Sequence, residues 1–192
     1  MSRKVQRVRY VLDAKGIGRL PHEEIAAILR GADSLIMSGG RTMLTKVLKG
    51  SRAQKVLELG LDKNPAYGYY AHLSNEEILA RIDRVILDGY LEIEYDYRLP
   101  LLCYTQQGWE IERETYASEL LQGFDRMLDA SSGPYNMSYL KDRARDMILL
   151  LLDKVEATGD RKYIPLLEDW AEIDYKKVRI RIGQVIHRLN HG

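Results

Sequence analysis

The sequence predicts a mostly helical α+β fold: a helix-turn-helix with a two-stranded wing, then helices alone. Three observations carry this. A Gly50-Ser51 break separates two short amphipathic stretches. The apolar pattern changes from helical to alternating at Tyr90, directly behind a capped helix. Beyond Trp109 the helical period returns and persists. Two short helices around a tight turn make a helix-turn-helix, and a hairpin behind them completes a winged-helix arrangement.

Taken in order, residues 5–12 alternate loosely and read as extended. Pro21 opens a helix at a first-turn position, with Glu23 and Glu24 near its positive end. Ile25, Ile28 and Leu29 form its apolar face, and Gly31 ends it. From Arg41 a second helix places Met43, Leu44, Val47 and Leu48 on one face and stops at Gly50. Ser51 is a good N-cap for the next short helix, which carries Val56, Leu57 and Leu59 and ends at Gly60. Residues 60–72 form a loop rich in Gly, Pro and Tyr. Ser74 and Glu77 make a capping box for a helix carrying Ile78, Leu79, Ile82, Val85 and Ile86. Alternation in residues 90–95, an interruption over 96–100 and strand-like composition in 101–105 predict the hairpin. Helices follow at roughly 110–129, 138–157, 161–172 and 175–190, with residues 131–134 as the clearest linker.

The chain has 192 residues, 45% of them apolar and 30% charged. That is ample for an independent core and argues against intrinsic disorder. A single cysteine, Cys103, excludes a disulfide framework and any multi-cysteine zinc site, and fits a reducing compartment. Residues 1–10 are basic and polar with no apolar segment behind them, so no signal peptide is expected. The longest apolar run, residues 147–152, is too short to cross a bilayer. A soluble, cytoplasmic protein is the expectation.

The net charge of +1 conceals an asymmetry. Residues 1–55 hold twelve Lys and Arg against four Asp and Glu, whereas residues 56–134 hold six against fifteen. Such division suits either a polyanion-binding surface or an internal salt-bridge network between the two blocks.

The motifs bring a family into view. GRTMLTKVLKGSR, residues 40–52, resembles the FG-x-x-h-x-x-x-LRGS segment of the RQC domain, the winged-helix module of RecQ-family DNA helicases. Tyr67-Gly68 is similar to that family's aromatic-Gly loop. VILDGYL, residues 85–91, is similar to its L-x-x-x-G-Y/F-L, and LCYTQQG, residues 102–108, to its L-T-x-x-G. The anchors occur in the family's order. No Walker A pattern, helicase motor or cysteine cluster accompanies them, so the chain looks like a stand-alone, RQC-minor type DNA-binding protein of bacteria. The resemblance implies that the Gly-Ser turn and the following helix grip duplex phosphates and that the hairpin tip meets the duplex end. Lys49 stands where the family has Arg, which keeps the charge and loses the bidentate fork. Arg98, between Tyr97 and Leu99, stands where the family has an aromatic wedge, which weakens the case for strand separation. The C-terminus, with Tyr163, Pro165, Leu167, Trp170, Asp174, Val178 and Arg179, is more weakly similar to a HEAT repeat. One repeat cannot bury its face alone, so the helix at 138–157 is expected to stack on it.

Arg41, Lys46, Lys49, Arg52 and Lys55 fall in a stretch free of acidic residues, and with Ser51 they form the candidate DNA-binding set. The alternative is a solvated face. Tyr95, Tyr97, Arg98 and Leu99 form the candidate wing tip, where a ring stacked on an exposed base returns about 1–3 kcal/mol. Tyr90 and Tyr104 read as core, and loop residues Tyr67, Tyr69 and Tyr70 as either packing or stacking groups. Gly16-Ile17-Gly18 lacks the strand-helix context of a nucleotide loop. The four histidines have no ligand spacing, and Cys103 reads as a small buried hydrophobe. No catalytic constellation, metal or cofactor is expected. The domain expectation is a basic arm and helix over 1–37, an RQC-like winged helix over 38–112 and a HEAT-like helical domain over 113–192.

The leading functional expectation is therefore a non-enzymatic protein recognising duplex DNA structure (ends, forks or junctions) in repair or recombination, with a helicase or another repair protein as a further partner. In a bacterium it would be nucleoid-associated. The competing expectations are a protein-interaction adaptor, favoured by the acidic Glu92, Glu94 and Asp96, and a transcription regulator.

Overall fold

The computed structural model describes residues 11–130 and 133–191. The chain divides into two compact units, the first ending at Glu112 and the second beginning at Arg113. Among the described residues, no helix is long and apolar enough to cross a membrane.

The first unit is a winged helix. It contains α1 (His22–Ala32), α2 (Arg41–Lys49), α3 (Gln54–Glu58), α4 (Asn75–Leu87), β1 (Leu91–Asp96) and β2 (Leu99–Tyr104), followed by the start of α5 (Gln106–Ala130). The apolar stripes of the three longer helices converge: Ile25, Ile28 and Leu29 of α1, Leu44, Val47 and Leu48 of α2, and Ile78, Ile82 and Val85 of α4. Leu91 and Leu102 close this core from the base of the wing. The capping box at Ser74 and Glu77 is present in full.

The hairpin is antiparallel, with a register running from Leu91 opposite Tyr104 to Asp96 opposite Leu99. Its turn is the dipeptide Tyr97-Arg98, with Tyr97 at φ 55°. Asp96, Leu99 and Pro100 thus belong to the strands and not to an interruption. Residues 37–39 lie along the other edge of β2: Met37 N–H donates to Leu102 O (3.0 Å), and Leu102 N–H donates to Gly39 O (2.9 Å). That docking explains why three consecutive residues of β2, Leu101 to Cys103, are buried.

Several local expectations differ from the structure. Pro21 is the residue before α1 and not its first residue, and the helix continues one residue past Gly31. The residue preceding α3 is Ala53, not Ser51. Tyr90 is buried as expected but lies just before β1. The expected helix from 138 starts only at Arg145, because residues 138–140 form a single 3₁₀ turn and Asp142 takes φ 68°. Of the extended segment expected over 5–12, residues 5–10 lie outside the described residues, and Val11 and Leu12 are not in a strand.

The second unit is helical: the remainder of α5, then α6 (Arg145–Thr158), α7 (Ile164–Ile173) and α8 (Lys176–His191). Helix α8 packs against both α6 and α7. Trp170 is fully buried and meets Phe124 edge to face, with ring centroids 6.0 Å apart. Its indole N–H donates to the Asp174 carboxylate at 2.7 Å.

Candidate nucleic-acid interface

The turn after α2 is built by backbone chemistry. Gly50 ends the helix at φ 74°, and a Cβ there would stand 3.1 Å from the Cα of Gly68. This close approach lets the 67–70 loop close the end of α2, with Gly68 N–H donating to Val47 O (2.9 Å) and Tyr70 N–H to Leu48 O (2.8 Å). Two loop tyrosines are consumed in this packing. The Tyr67 hydroxyl donates to Ser51 O (3.1 Å), and the buried Tyr70 hydroxyl donates to Glu24 (2.5 Å). Tyr69 is the exposed member of the group.

The six candidate contact residues separate. Arg41 is turned inward, its side chain 10% exposed and paired with the Asp83 carboxylate of α4, itself 3% exposed. Lys49 donates from Nζ to the carbonyls of Ala71 and Leu73, each at 2.6 Å, so its charge closes the end of the tyrosine loop. The Ser51 hydroxyl accepts from Ala53 N–H (3.3 Å) in a local turn and does not cap α3. Arg41 is thus held by a carboxylate while also lining the groove that Lys46 and Lys55 share, and Lys49, half-exposed, is held by loop carbonyls.

Lys46, Arg52 and Lys55 are different. None of the three has an ion pair or side-chain hydrogen bond among the described residues, and Arg52 and Lys55 are exposed. Lys46 and Lys55 line a groove of about 510 Å³ that also includes Thr42, Leu59, Ile93 and Leu99. Leu99 is 64% exposed and belongs to the wing tip, so the groove joins the basic face of α2 and α3 to the wing. At the tip, Tyr97 is 69% exposed and the Arg98 guanidinium lies 5.6 Å from its ring centroid. Tyr95 is half-buried and pairs across the sheet with Pro100. Glu92, Glu94 and Asp96 are exposed along β1.

The salt-bridge reading of the charge asymmetry is realised in part. Lys15 pairs with Glu76, Arg30 with Glu112 and Arg41 with Asp83, each joining the basic block to the acidic one. Lys46, Arg52 and Lys55 take no part in these pairs. Helix α4, in the position that precedes the wing, offers less: Arg81 pairs with Glu24 and Arg84 with Asp88. Sequence reasoning missed Thr42 and Leu59 in the groove. The exposed Leu57 and Leu59, which share one short helix end, were the available signal.

Tyr104 and Cys103 behave as interior groups. The Tyr104 hydroxyl donates to Leu29 O at 2.9 Å, and burial pushes its pKa well up. Burial likewise raises the Cys103 thiol, which lies 3.1 Å from the sulfur of Met37. Among the described residues no three His, Cys, Asp or Glu side chains gather as metal ligands.

Comparison with known proteins gives one result. The family model of the RQC domain matches residues 21–120, from the residue before α1 into α5. No curated protein and no solved structure matches the chain. The matched segment contains the whole helix-turn-helix, the tyrosine loop and the wing, with the Gly50–Gly68 contact at its centre. An RQC domain implies nucleic-acid binding, and the chain, matched over more than half its length, belongs to the RQC family as a RecQ-like, winged-helix DNA-binding module.

Proposed function

We propose that the protein binds duplex DNA by its structure, at ends, forks or junctions, and acts without turnover in repair or recombination. The observation that carries this reading is the shared groove. Lys46 and Lys55, with no acidic partner among the described residues, line it together with the exposed Leu99 of the wing. Phosphates follow the lysines and Arg52, while Tyr97 and Leu99 meet the last base pair. The groove's lining includes neither a carboxylate nor a histidine, which leaves its charge cationic throughout.

The test is a titration of blunt duplex, fork, nicked duplex, single strand and RNA at two salt concentrations. Tighter binding to ends and forks than to closed duplex is expected. Lys46→Glu with Lys55→Glu should weaken duplex binding more than about tenfold and flatten the log–log salt slope by about 0.9 per lost contact. Unchanged binding by the folded double variant would overturn the reading. The exposed acidic row Glu92, Glu94 and Asp96 favours one second reading, a protein-interaction adaptor, because it repels phosphate beside the wing.

A further inference from the structure

The second unit contains an apolar pocket of about 440 Å³, distant in sequence from the groove and outside the matched RQC segment. Leu140, Ile148 and Val178 line it, and the Tyr175 ring, 58% exposed, forms one side. Its other lining residues are charged. Arg143, Arg145, Lys176 and Lys177 are all exposed there, against two carboxylates, Asp142 and Asp174.

Both carboxylates already have donors. Asp142 accepts from the Tyr175 hydroxyl (2.7 Å), and Asp174 accepts from the Trp170 indole (2.7 Å) and from Tyr175 N–H (2.6 Å). Arg145, Lys176 and Lys177 have no ion pair among the described residues. Lys141 adds a further cation, its Nζ 5.4 Å from the Tyr175 ring centroid. Lys176 and Lys177 also open α8, whose first turn carries no acidic residue. Helix starts favour carboxylates, and Asp174 supplies one just before α8, while Lys176 and Lys177 keep the outer rim cationic.

We infer that this pocket is a docking site for an acidic peptide segment carrying one large apolar side chain. The apolar side chain would fill the space between Leu140, Ile148 and Val178, while flanking Asp or Glu residues meet the cationic rim. That is the usual division of an interface into a buried anchor and a charged border that steers association. A DNA backbone matches the rim equally well but has nothing to place in the apolar floor. A peptide satisfies both halves. The inference does not depend on the DNA-binding reading, and either can fail alone.

The experiment uses the full chain and two fluorescein-labelled decapeptides of Asp and Glu, one with a central Phe and one with Ala in its place. The Phe peptide should bind at least about tenfold more tightly than the Ala peptide. It should also shift the methyl resonances of Leu140, Ile148 and Val178. Lys176→Glu with Lys177→Glu, both on exposed positions, should weaken it about tenfold at low salt, whereas Lys46→Glu with Lys55→Glu should leave it unchanged. No binding, equal affinity for the two peptides, or unmoved methyls would overturn the proposal. So would a Lys176 and Lys177 reversal that costs only duplex affinity, which would make the rim a second DNA contact.

Discussion

The Arg41 guanidinium, at the first residue of α2, is bound to the Asp83 carboxylate in the middle of α4, and both side chains are buried. Asp83 also accepts from Asp13 N–H at 2.9 Å, which ties the chain before α1 to the same point. Removing one partner leaves a buried charge alone. Asp83→Ala should therefore cost about 3–5 kcal/mol in denaturant unfolding. Arg41→Met with Asp83→Leu should recover most of that loss and bind duplex DNA nearly as the parent does. A folded pair variant with strongly weakened binding would return Arg41 to the interface.

Lys49 and Arg52, three residues apart, should behave oppositely. Lys49→Met removes the charged donor to the carbonyls of Ala71 and Leu73, a loss of about 1.5–3 kcal/mol of stability with little change in the salt slope. Arg52→Ala touches no described partner and should change stability by less than about 0.5 kcal/mol. It should instead flatten the log–log salt dependence by about 0.9. Denaturation and anisotropy titrations on the same two proteins separate the roles.

Periodic and capped segments were legible in the sequence because their signals are local. The Ser74 and Glu77 box, the apolar stripe of α2 and the period change at Tyr90 each lie within a few residues. The direction of a cation was not legible. Arg41 and Lys46 sit in the same uninterrupted basic stretch, yet only Arg41 meets a carboxylate, 42 residues further on. The partners of Lys49 were not legible for a related reason, since its acceptors are loop carbonyls, which carry no side-chain signature. Gly108 shows the reverse case. Its place in a family motif marked it, and the reason is steric: a Cβ there would stand 1.9 Å from Tyr90 O.

Acid should unfold the protein through carboxylates whose ionised form the fold holds. The Ser74 backbone N–H, and then its hydroxyl, keep Glu77 below the usual carboxylate range. In the second unit the Tyr163 hydroxyl, then Lys162, do the same for Asp125. A carboxyl whose pKa is lowered by folding stabilises the folded state above its unfolded pKa of about 4. That contribution is lost as pH falls through the lower folded value. Stability from these groups should be level above about pH 5 and decline below about pH 4. Ser74→Ala should cost about 1 kcal/mol at neutral pH, and less at pH 3, in urea titrations at the two pH values.

The wing tip provides the sharpest test of end recognition. Tyr97 occupies the left-handed region at φ 55°, a conformation that costs a residue with a Cβ, and it is 69% exposed. Neither its ring nor Leu99 contributes to the core, so both can be removed without undermining the fold. Glycine suits that backbone at position 97, which makes Tyr97→Gly with Leu99→Ala a clean deletion of the apolar tip. Opening or capping a terminal base pair involves a few kcal/mol, comparable to what a stacked ring and an adjacent guanidinium return. The double variant should bind blunt and forked ends at least about fivefold more weakly while its affinity for covalently closed duplex stays within about twofold. Arg98 keeps its charge in the double variant but loses the ring it packs on, so the closed-duplex affinity serves as the control for its phosphate contact. Equal losses on open and closed substrates would mean that the tip follows the backbone and does not read the end.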